Sequence, residues 1–420
     1  MNILWITNTI FPAPCKALGI PPPVFGGWMY GDALRIANQT DIKLAVASTF
    51  REKRVKKMAI QGVDYYLLPF IKSSSYQKNL EKHWKTICEE FKPDIIHIHG
   101  TEYAHGLACM RSCPKFKYIV SIQGLVSVIS KYYFSGIGIW DIIKNITFRD
   151  LVRFDTIFQA KLNFEKRGQF EEEYIQKANI VSGRTSWDYA HVKTINPSIN
   201  YHFNNSALRN SFYTAVKWDI TTKNNYTIFL SQAGYPIKGL HQVLKAMAIL
   251  KKDFHKIQLR IAGQCIIQNN SLLEKIKLSG YGSYIINLIK KFNLKENICF
   301  TGLLDEKEMI TEYRNAHIFI CPSSIENSPN SVGEAQILGI PTIGSYVGGT
   351  PDMIEHNING LLYRFEEVEM LAENIRSVFN NNEFANRLSK NGIKTAENRH
   401  NKDLNISHIL QIYETLNNSK

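Results

Sequence analysis

Two stretches of this chain alternate short, uncharged, β-branched runs with segments of helical period, and that alternation constrains the fold more than any other feature. The first holds MNILWITNT, runs near Lys43 to Thr49 and Tyr65 to Leu68, a helical segment from about Gln77 to Phe91, and Ile95 to His99. Strands joined through helices predict a parallel sheet in an α/β layout. YIVSIQGLVSVI adds a buried strand and a loop, Lys131 to Phe170 reads as helical and aromatic-rich, and Ile180 to Gly183 is a further strand before a helix capped at Thr185 or Ser186. Tyr132, Tyr133, Phe134 and Trp140 are expected in the core or in the wall of a groove. From about Asn196 to Asn225 the period lapses and asparagine accumulates, as in a passage between domains. Then YTIFLSQAGYPIKGLHQVLKAMAIL, IQLRIAG, ICFTGLL and HIFICPSS repeat the theme. At 420 residues the chain exceeds what one core usually serves, so two domains are expected.

The stretch CPSSIENSPNSVGEAQILGIPTIGSYVGGTPDMIEHNING, Cys321 to Gly360, carries the chemistry. Ser328 as cap, Pro329 at the first position and the apolar Val332, Ala335, Ile337 and Leu338 predict a helix stopped by Gly339 and Pro341. Its first-turn amides, about Asn330, Ser331 and Val332, would lack partners and suit a phosphate. Glu326 precedes the helix, and Glu334 on its second turn tilts back toward the same ligand. Carboxylates are poor partners for phosphate and good acceptors for paired hydroxyls, so a ligand carrying both, a nucleotide sugar, fits. The spacing E-x7-E alone also arises in a helix whose glutamates are merely solvated.

The run continuing as EAQILGIP and VGGTPDMIEHNINGLL resembles the donor-binding core of retaining glycosyltransferases of family four, of the kind found in bacterial surface polysaccharide synthesis. The resemblance implies the GT-B fold: two Rossmann-like domains facing across a cleft, with the last helix crossing back to the N-terminal domain. Residues 1–205 would bind acceptor, 206–390 would bind nucleotide sugar, and 391–420 would pack back on the first domain. It also implies that Glu334 holds the ribose hydroxyls and that Glu326 sits at the transferred sugar. Lys238, next to Gly239 just before a helix start, would balance the diphosphate. The family often places an arginine a few positions earlier, where this chain has Gln232. Gly348 and Gly349 would let backbone amides meet the ligand, and the loops after Gly263 and Gly302 would hold the base.

On the acceptor side, Gly26 and Gly27 lie between the first strand and its helix, where backbone can approach donor phosphates or simply turn tightly. His99 or His105, at and after the carboxyl end of a strand, is a candidate acceptor contact, the alternative being a histidine satisfied within the fold. Many family members have a histidine where this chain has Gln123, an amide that can both donate and accept.

Hydrophobic content of 44% with 21% charged residues is that of an ordinary globular protein. No run has the roughly 18 uncharged apolar residues of a membrane helix, and no leader is recognised, so a cytoplasmic place is expected, peripheral on the inner face of the membrane if the acceptor is lipid-linked. Seven cysteines show neither a disulfide framework nor zinc-ligand spacing. The net charge of +13 admits nucleic acid, an anionic membrane surface or phosphorylated substrates as partners. Without a zinc-finger spacing or an aromatic-basic RNA-binding signature, nucleic acid is set aside. The densest basic run is Arg51, Lys53, Arg54, Lys56 and Lys57, read as a solvated helix or loop face or as a contact with anionic lipid. With no D-x-D triplet, no metal site and no cofactor are expected, the nucleotide sugar being the donor substrate and a glycan or lipid-linked glycan the acceptor. Two other functions share these features: a sugar-nucleotide epimerase, and a non-catalytic nucleotide-sugar-binding partner of another transferase.

Overall fold

The computed structural model of the chain describes residues 1–23, 27–50, 54–69, 74–269 and 271–418. They fall into two compact units, one of Met1–Ser130, Asn163–Asn210 and His400–Lys420, the other of Lys131–Leu162 and Ser211–Arg399. Each is an α/β unit built on a parallel sheet.

In the first unit the strands are β1 (Asn2–Thr7), β2 (Lys43–Phe50), β3 (Lys56–Ile60), β4 (Val63–Pro69), β5 (Ile95–His99), β6 (Lys117–Ser121), β7 (Ile180–Gly183) and β8 (Asn200–Phe203). Their order is β3-β4-β2-β1-β5-β6-β7-β8, parallel throughout except where β3 pairs antiparallel with β4. Alternate residues of β1 serve opposite layers. Leu4 and Ile6 pack with Leu80, Trp84 and Leu107, and Ile3 and Trp5 with Ala33, Ile36, Ile409 and Tyr413. Because both faces are covered, the strand reads as an unbroken apolar run instead of alternating with polar residues.

The last helix, Lys402–Asn418, belongs to this unit, as the resemblance implies. Ile406, Ile409, Ile412, Tyr413 and Leu416 are its buried stripe, at the three- and four-residue steps of one helix face. Tyr413 accepts the indole N–H of Trp5 at 2.8 Å and bonds His97 Nδ1 at 2.7 Å, which ties the helix to β1 and β5.

The second unit has β9 (Thr227–Leu230), β10 (Gln258–Ala262), β11 (Ile298–Gly302), β12 (Ile318–Cys321), β13 (Thr342–Ser345) and β14 (Leu361–Tyr363). They are all parallel, in the order β11-β10-β9-β12-β13-β14. The chain runs outward from β9 to β11, then returns to β12 on the other side of β9.

Three expectations need correcting. Part of the basic run is strand, not helix or loop: Lys56 and Lys57 begin β3, and Lys57 is paired with Glu90, its ammonium 5.4 Å from the centre of the Tyr66 ring. Arg51 and Lys53 lie outside the described residues. The aperiodic passage holds β8 and a short helix, Asn210–Thr214; β8 lies at the sheet edge with every residue at least partly exposed, so no apolar pattern marks it. Among the aromatics expected in the core or a groove wall, Tyr133 is buried but Trp140 is 74% exposed.

Candidate functional site

Lys238 and Glu326 follow β9 and β12, the neighbouring strands at which the second sheet reverses its order. Loops leaving the carboxyl ends of such a pair diverge and open a crevice, the usual ligand position in parallel sheets. The two loops are locked together. The turn Pro236–Lys238 ends at Gly239, whose φ of +70° starts the helix Leu240–Leu250. A Cβ there would stand 1.8 Å from the Pro322 carbonyl oxygen, so this approach requires glycine. The Ser324 amide donates to the Ile237 carbonyl at 2.8 Å.

This closeness sets Lys238 Nζ 2.5 Å from Glu326 Oε1, an oxygen that also accepts the Ser323 hydroxyl at 2.7 Å. The two side chains are 11% and 16% exposed. Burial alone would lower the Lys238 pKa, but Glu326 and Tyr235 outweigh it and hold the ammonium above its usual range. Lys238 is therefore a permanent positive charge. The Glu326 backbone is fixed from below: its carbonyl accepts the Gly349 amide at 3.0 Å, and Gly348 passes so close that a Cβ would lie 1.9 Å from that oxygen. The Gly349 amide thus holds Glu326 and is not a donor awaiting a ligand.

The helix predicted after Glu326 spans Asn330–Leu338 and ends at Gly339 with φ +84°. Its cap is not Ser328. Pro329 occupies the N-cap with extended backbone (φ −68°, ψ 115°), which puts Ser328 outside the first turn. The Ser328 hydroxyl instead faces the Met353 sulfur at 3.6 Å and accepts from Arg399 at 3.3 Å. Of the three amides expected to meet an anion, that of Val332 donates to the Pro329 carbonyl at 3.0 Å. Asn330 and Ser331 keep the first-turn position, and Asn330 Oδ1 is buried without a hydrogen-bond partner. Glu334, on the second turn, is buried. Lys238, Gly239, Glu326, Asn330, Ser331, Val332 and Glu334 are thus all carried by the second unit, with Lys238 and Glu326 in direct contact. Gly263 and Gly302 sit beside each other at the ends of β10 and β11, the Gly263 amide donating to the Gly302 carbonyl at 2.8 Å. Gln232 is exposed.

In the first unit His99 closes β5, which lies next to β1 where that sheet reverses. It is buried, its ring tilted against Trp5 at 4.2 Å and His97 at 3.9 Å between ring centres, and neither ring nitrogen has a hydrogen-bond partner. Burial, with Arg184 nearby, lowers its pKa to about 3, so the ring is neutral. His99 and Gln123 line one cavity of about 40 Å³, together with Trp28, Arg184 and Asn205. Gln123 Oε1 accepts from Arg184 at 2.6 Å, and Asn205 Oδ1 is buried without a partner. A cavity with unmatched polar atoms of both kinds suits water or hydroxyl groups. His105 does not line this cavity; it starts the helix His105–Ser112, its carbonyl taking the Trp84 indole N–H at 2.8 Å. Gly27 is the first residue of the helix Gly27–Ala37, and Gly26 lies outside the described residues.

Sequence reasoning passed over Ser323 and Arg399. Ser323 is visible only once the loop is folded, and Arg399, far along the chain, carries no local signal. It also passed over a meeting of thiols. Cys88 on the helix Leu80–Phe91 joins Cys109 and Cys113 in the first unit's core, the three sulfurs within 4.8 Å of one another.

Comparison with known proteins agrees with this architecture. Residues 214–395 match the family described as Glycosyl transferases group 1, a span that includes the site residues of the second unit. The uncharacterized glycosyltransferase YqgM of Bacillus subtilis is 29% identical over 184 residues, 44% of this chain and 47% of that protein. The chain thus spans about half the length of the curated relatives it matches. Sucrose-phosphate synthase of Thermosynechococcus elongatus superposes with a TM-score of 0.74 at 16% identity, covering 99% of both chains. HepE of Anabaena, solved in complex with UDP and glucose, gives 0.65 at 14% identity with both chains fully covered. The chain has the two-unit GT-B fold of these enzymes, and its second unit carries the match to the group 1 glycosyl transferases.

Proposed function

We propose that the chain is a retaining glycosyltransferase that moves a sugar from a nucleotide-diphosphate sugar to a glycan or lipid-linked glycan. The observation that carries this reading is the Lys238–Glu326 pair at the reversal point of the second sheet, inside the span matched to group 1 glycosyl transferases. Anabaena HepE, of the same fold, has been solved with UDP and glucose, which supports a nucleotide sugar as the donor.

In this reading the permanent charge of Lys238 and the first-turn amides of Asn330 and Ser331 stabilise the negative charge that builds on the diphosphate as the glycosidic bond breaks. Glu334 accepts the ribose hydroxyls. Glu326 accepts hydroxyls of the transferred sugar, and its pairing with Lys238 places that sugar beside the leaving oxygen. The acceptor hydroxyl attacks from the face the diphosphate leaves, and a diphosphate oxygen takes its proton. Configuration is retained, and no metal or cofactor is required. His99 and Gln123 are proposed as sugar or acceptor contacts, with residues 1–205 as acceptor domain and 206–390 as donor domain.

The test is incubation of the purified chain with UDP-, GDP- and ADP-sugars, with and without a glycan and lipid-acceptor panel, reading free nucleoside diphosphate and the anomeric configuration of the product. Release of one diphosphate with a retained linkage, unaffected by EDTA, is expected. An isomerised nucleotide sugar formed without acceptor would make the chain an epimerase. Tight donor binding with no turnover across the panel would make it a binding partner.

A further inference from the structure

Residues 131–162 and the helix Leu272–Lys277 form an excursion of the second unit whose exterior is apolar. Two short helices, Ile139–Lys144 and Phe148–Arg153, make up its centre. They are fastened to the body of the unit through polar groups. Asn145 Oδ1 accepts from Ser283 at 3.0 Å and from Asn287 at 2.9 Å, Thr147 donates to the Leu278 carbonyl at 2.8 Å, and the Gly280 amide donates to Asp150 at 2.8 Å. Large apolar side chains face solvent instead: Trp140 (74% exposed), Phe148 (70%) and Phe154 (74%), joined by Ile139, Leu151 and Leu272. This inverts the usual arrangement, in which a helical excursion buries its apolar stripe and exposes its polar one.

The charges around these side chains are unbalanced. Over 131–155 and 271–277 the exposed basic residues are Lys131, Lys144, Arg153, Lys275 and Lys277, against exposed Asp141 and Asp155 and a partly exposed Glu274 that caps the helix Leu272–Lys277. Arg149 is half-buried and paired with Asp150 and Asp155. Short helices bearing Trp, Phe and Leu among lysines have the chemistry that enters the headgroup region of an anionic bilayer, with the rings at the acyl boundary and the ammonium groups on phosphates. No helix among the described residues is long and apolar enough to cross a membrane, so the contact is in-plane.

We propose that this excursion is a membrane-docking surface for anionic lipid. The excursion also reaches the candidate site: the Ser324 hydroxyl, two residues before Glu326, donates to the Tyr132 carbonyl at 3.3 Å and bonds the Ser135 hydroxyl at 2.9 Å. Docking therefore holds the donor loop close to the bilayer surface. The inference does not depend on the reaction proposed above, because vesicle binding is read without donor or acceptor.

The full chain is sedimented with vesicles of phosphatidylcholine containing phosphatidylglycerol, and with pure phosphatidylcholine. Wild type is expected to pellet with the anionic vesicles, and Trp140 emission is expected to be quenched by brominated acyl chains. The triple variant Trp140→Ser, Phe148→Ser, Phe154→Ser should bind at least tenfold more weakly while melting like wild type, since these side chains face solvent. Val216→Ser, an exposed apolar residue elsewhere, should bind as wild type does, and so should neutralisation of Arg51, Lys53, Arg54, Lys56 and Lys57. The inference is overturned if wild type does not pellet with anionic vesicles, if the triple variant pellets equally, or if neutralising the basic run alone releases the protein. A stable wild-type dimer that the triple variant breaks would also overturn it, by showing that a second copy covers the face.

Discussion

Replacing Lys238 with methionine keeps the length of the side chain and removes its charge, leaving Glu326 buried with the Ser323 hydroxyl at 2.7 Å as its remaining side-chain donor. Removing one partner of a buried pair costs about 3–5 kcal/mol, and the residual water access of Glu326 places this case near about 3 kcal/mol. A domain of this size shifts by about 2–4 °C per kcal/mol, so the transition that includes the second unit should fall by roughly 6–12 °C. Converting Glu326 to glutamine in the same chain removes the stranded charge. The double variant Lys238→Met, Glu326→Gln should therefore recover all but about 1 kcal/mol, which makes it about 2 kcal/mol more stable than Lys238→Met alone. Activity should behave differently: transfer stays at least about 10²- to 10³-fold down in both, because the group that stabilises the leaving diphosphate is missing either way. Urea and thermal unfolding give the first quantity and diphosphate release the second. A Lys238→Met protein as stable as wild type would refute the buried pair, and one that turns over within about tenfold of wild type would refute its role in the leaving step.

Other substitutions separate positioning from chemistry. Gly239→Ala should destabilise the second unit by at least about 2 kcal/mol, since alanine at φ +70° is strained and its Cβ meets the Pro322 carbonyl; chemical denaturation checks this. Glu334→Gln should weaken nucleoside diphosphate binding by about tenfold or more through lost charge-assisted bonds, whereas Glu326→Ala should abolish transfer with less effect on binding; calorimetry beside a release assay distinguishes the two. His241 Nε2 donates to the Ser135 carbonyl at 2.8 Å and Nδ1 accepts from the Tyr281 hydroxyl at 3.2 Å, and burial lowers its pKa from 6.5 to about 3. With the folded value depressed, its stabilisation is present above about pH 6.5 and lost as pH falls toward 3, about 2 kcal/mol by pH 5. His241→Gln should remove that much of the acid slope between pH 7 and 5 in urea titrations.

The sheets were legible because both faces of each are covered, which turns strands such as Ile95–His99 and Ile180–Gly183 into apolar runs with clear ends. Where one side is open, the pattern fails: β3 on one edge and β8 on the other left no periodic trace. At the candidate site the residue types and their order were readable, but the partnerships were not. Nothing local says that Lys238 meets Glu326, since they are brought together by strand order and by the glycine contact at Pro322. The Gly349 amide and the Ser328 hydroxyl read locally as a ligand donor and a helix cap; backbone packing claims the first, and the N-cap position of Pro329 displaces the second. Aromatic residues in helical segments usually lie in a core or a groove wall, which is where sequence alone puts Trp140. Its neighbours are instead held by Asn145, Thr147 and Asp150, and no spacing rule anticipates polar anchoring.

A nucleoside diphosphate seated between Lys238 and the start of the helix Asn330–Leu338 underlies the proposed reaction. Calorimetric titration of UDP, GDP and ADP into the wild-type chain, Lys238→Met and Glu334→Gln tests it most directly. One diphosphate should bind at a single site, and each substitution should weaken it. No binding of any of the three, or binding that both substitutions leave unchanged, would contradict the account.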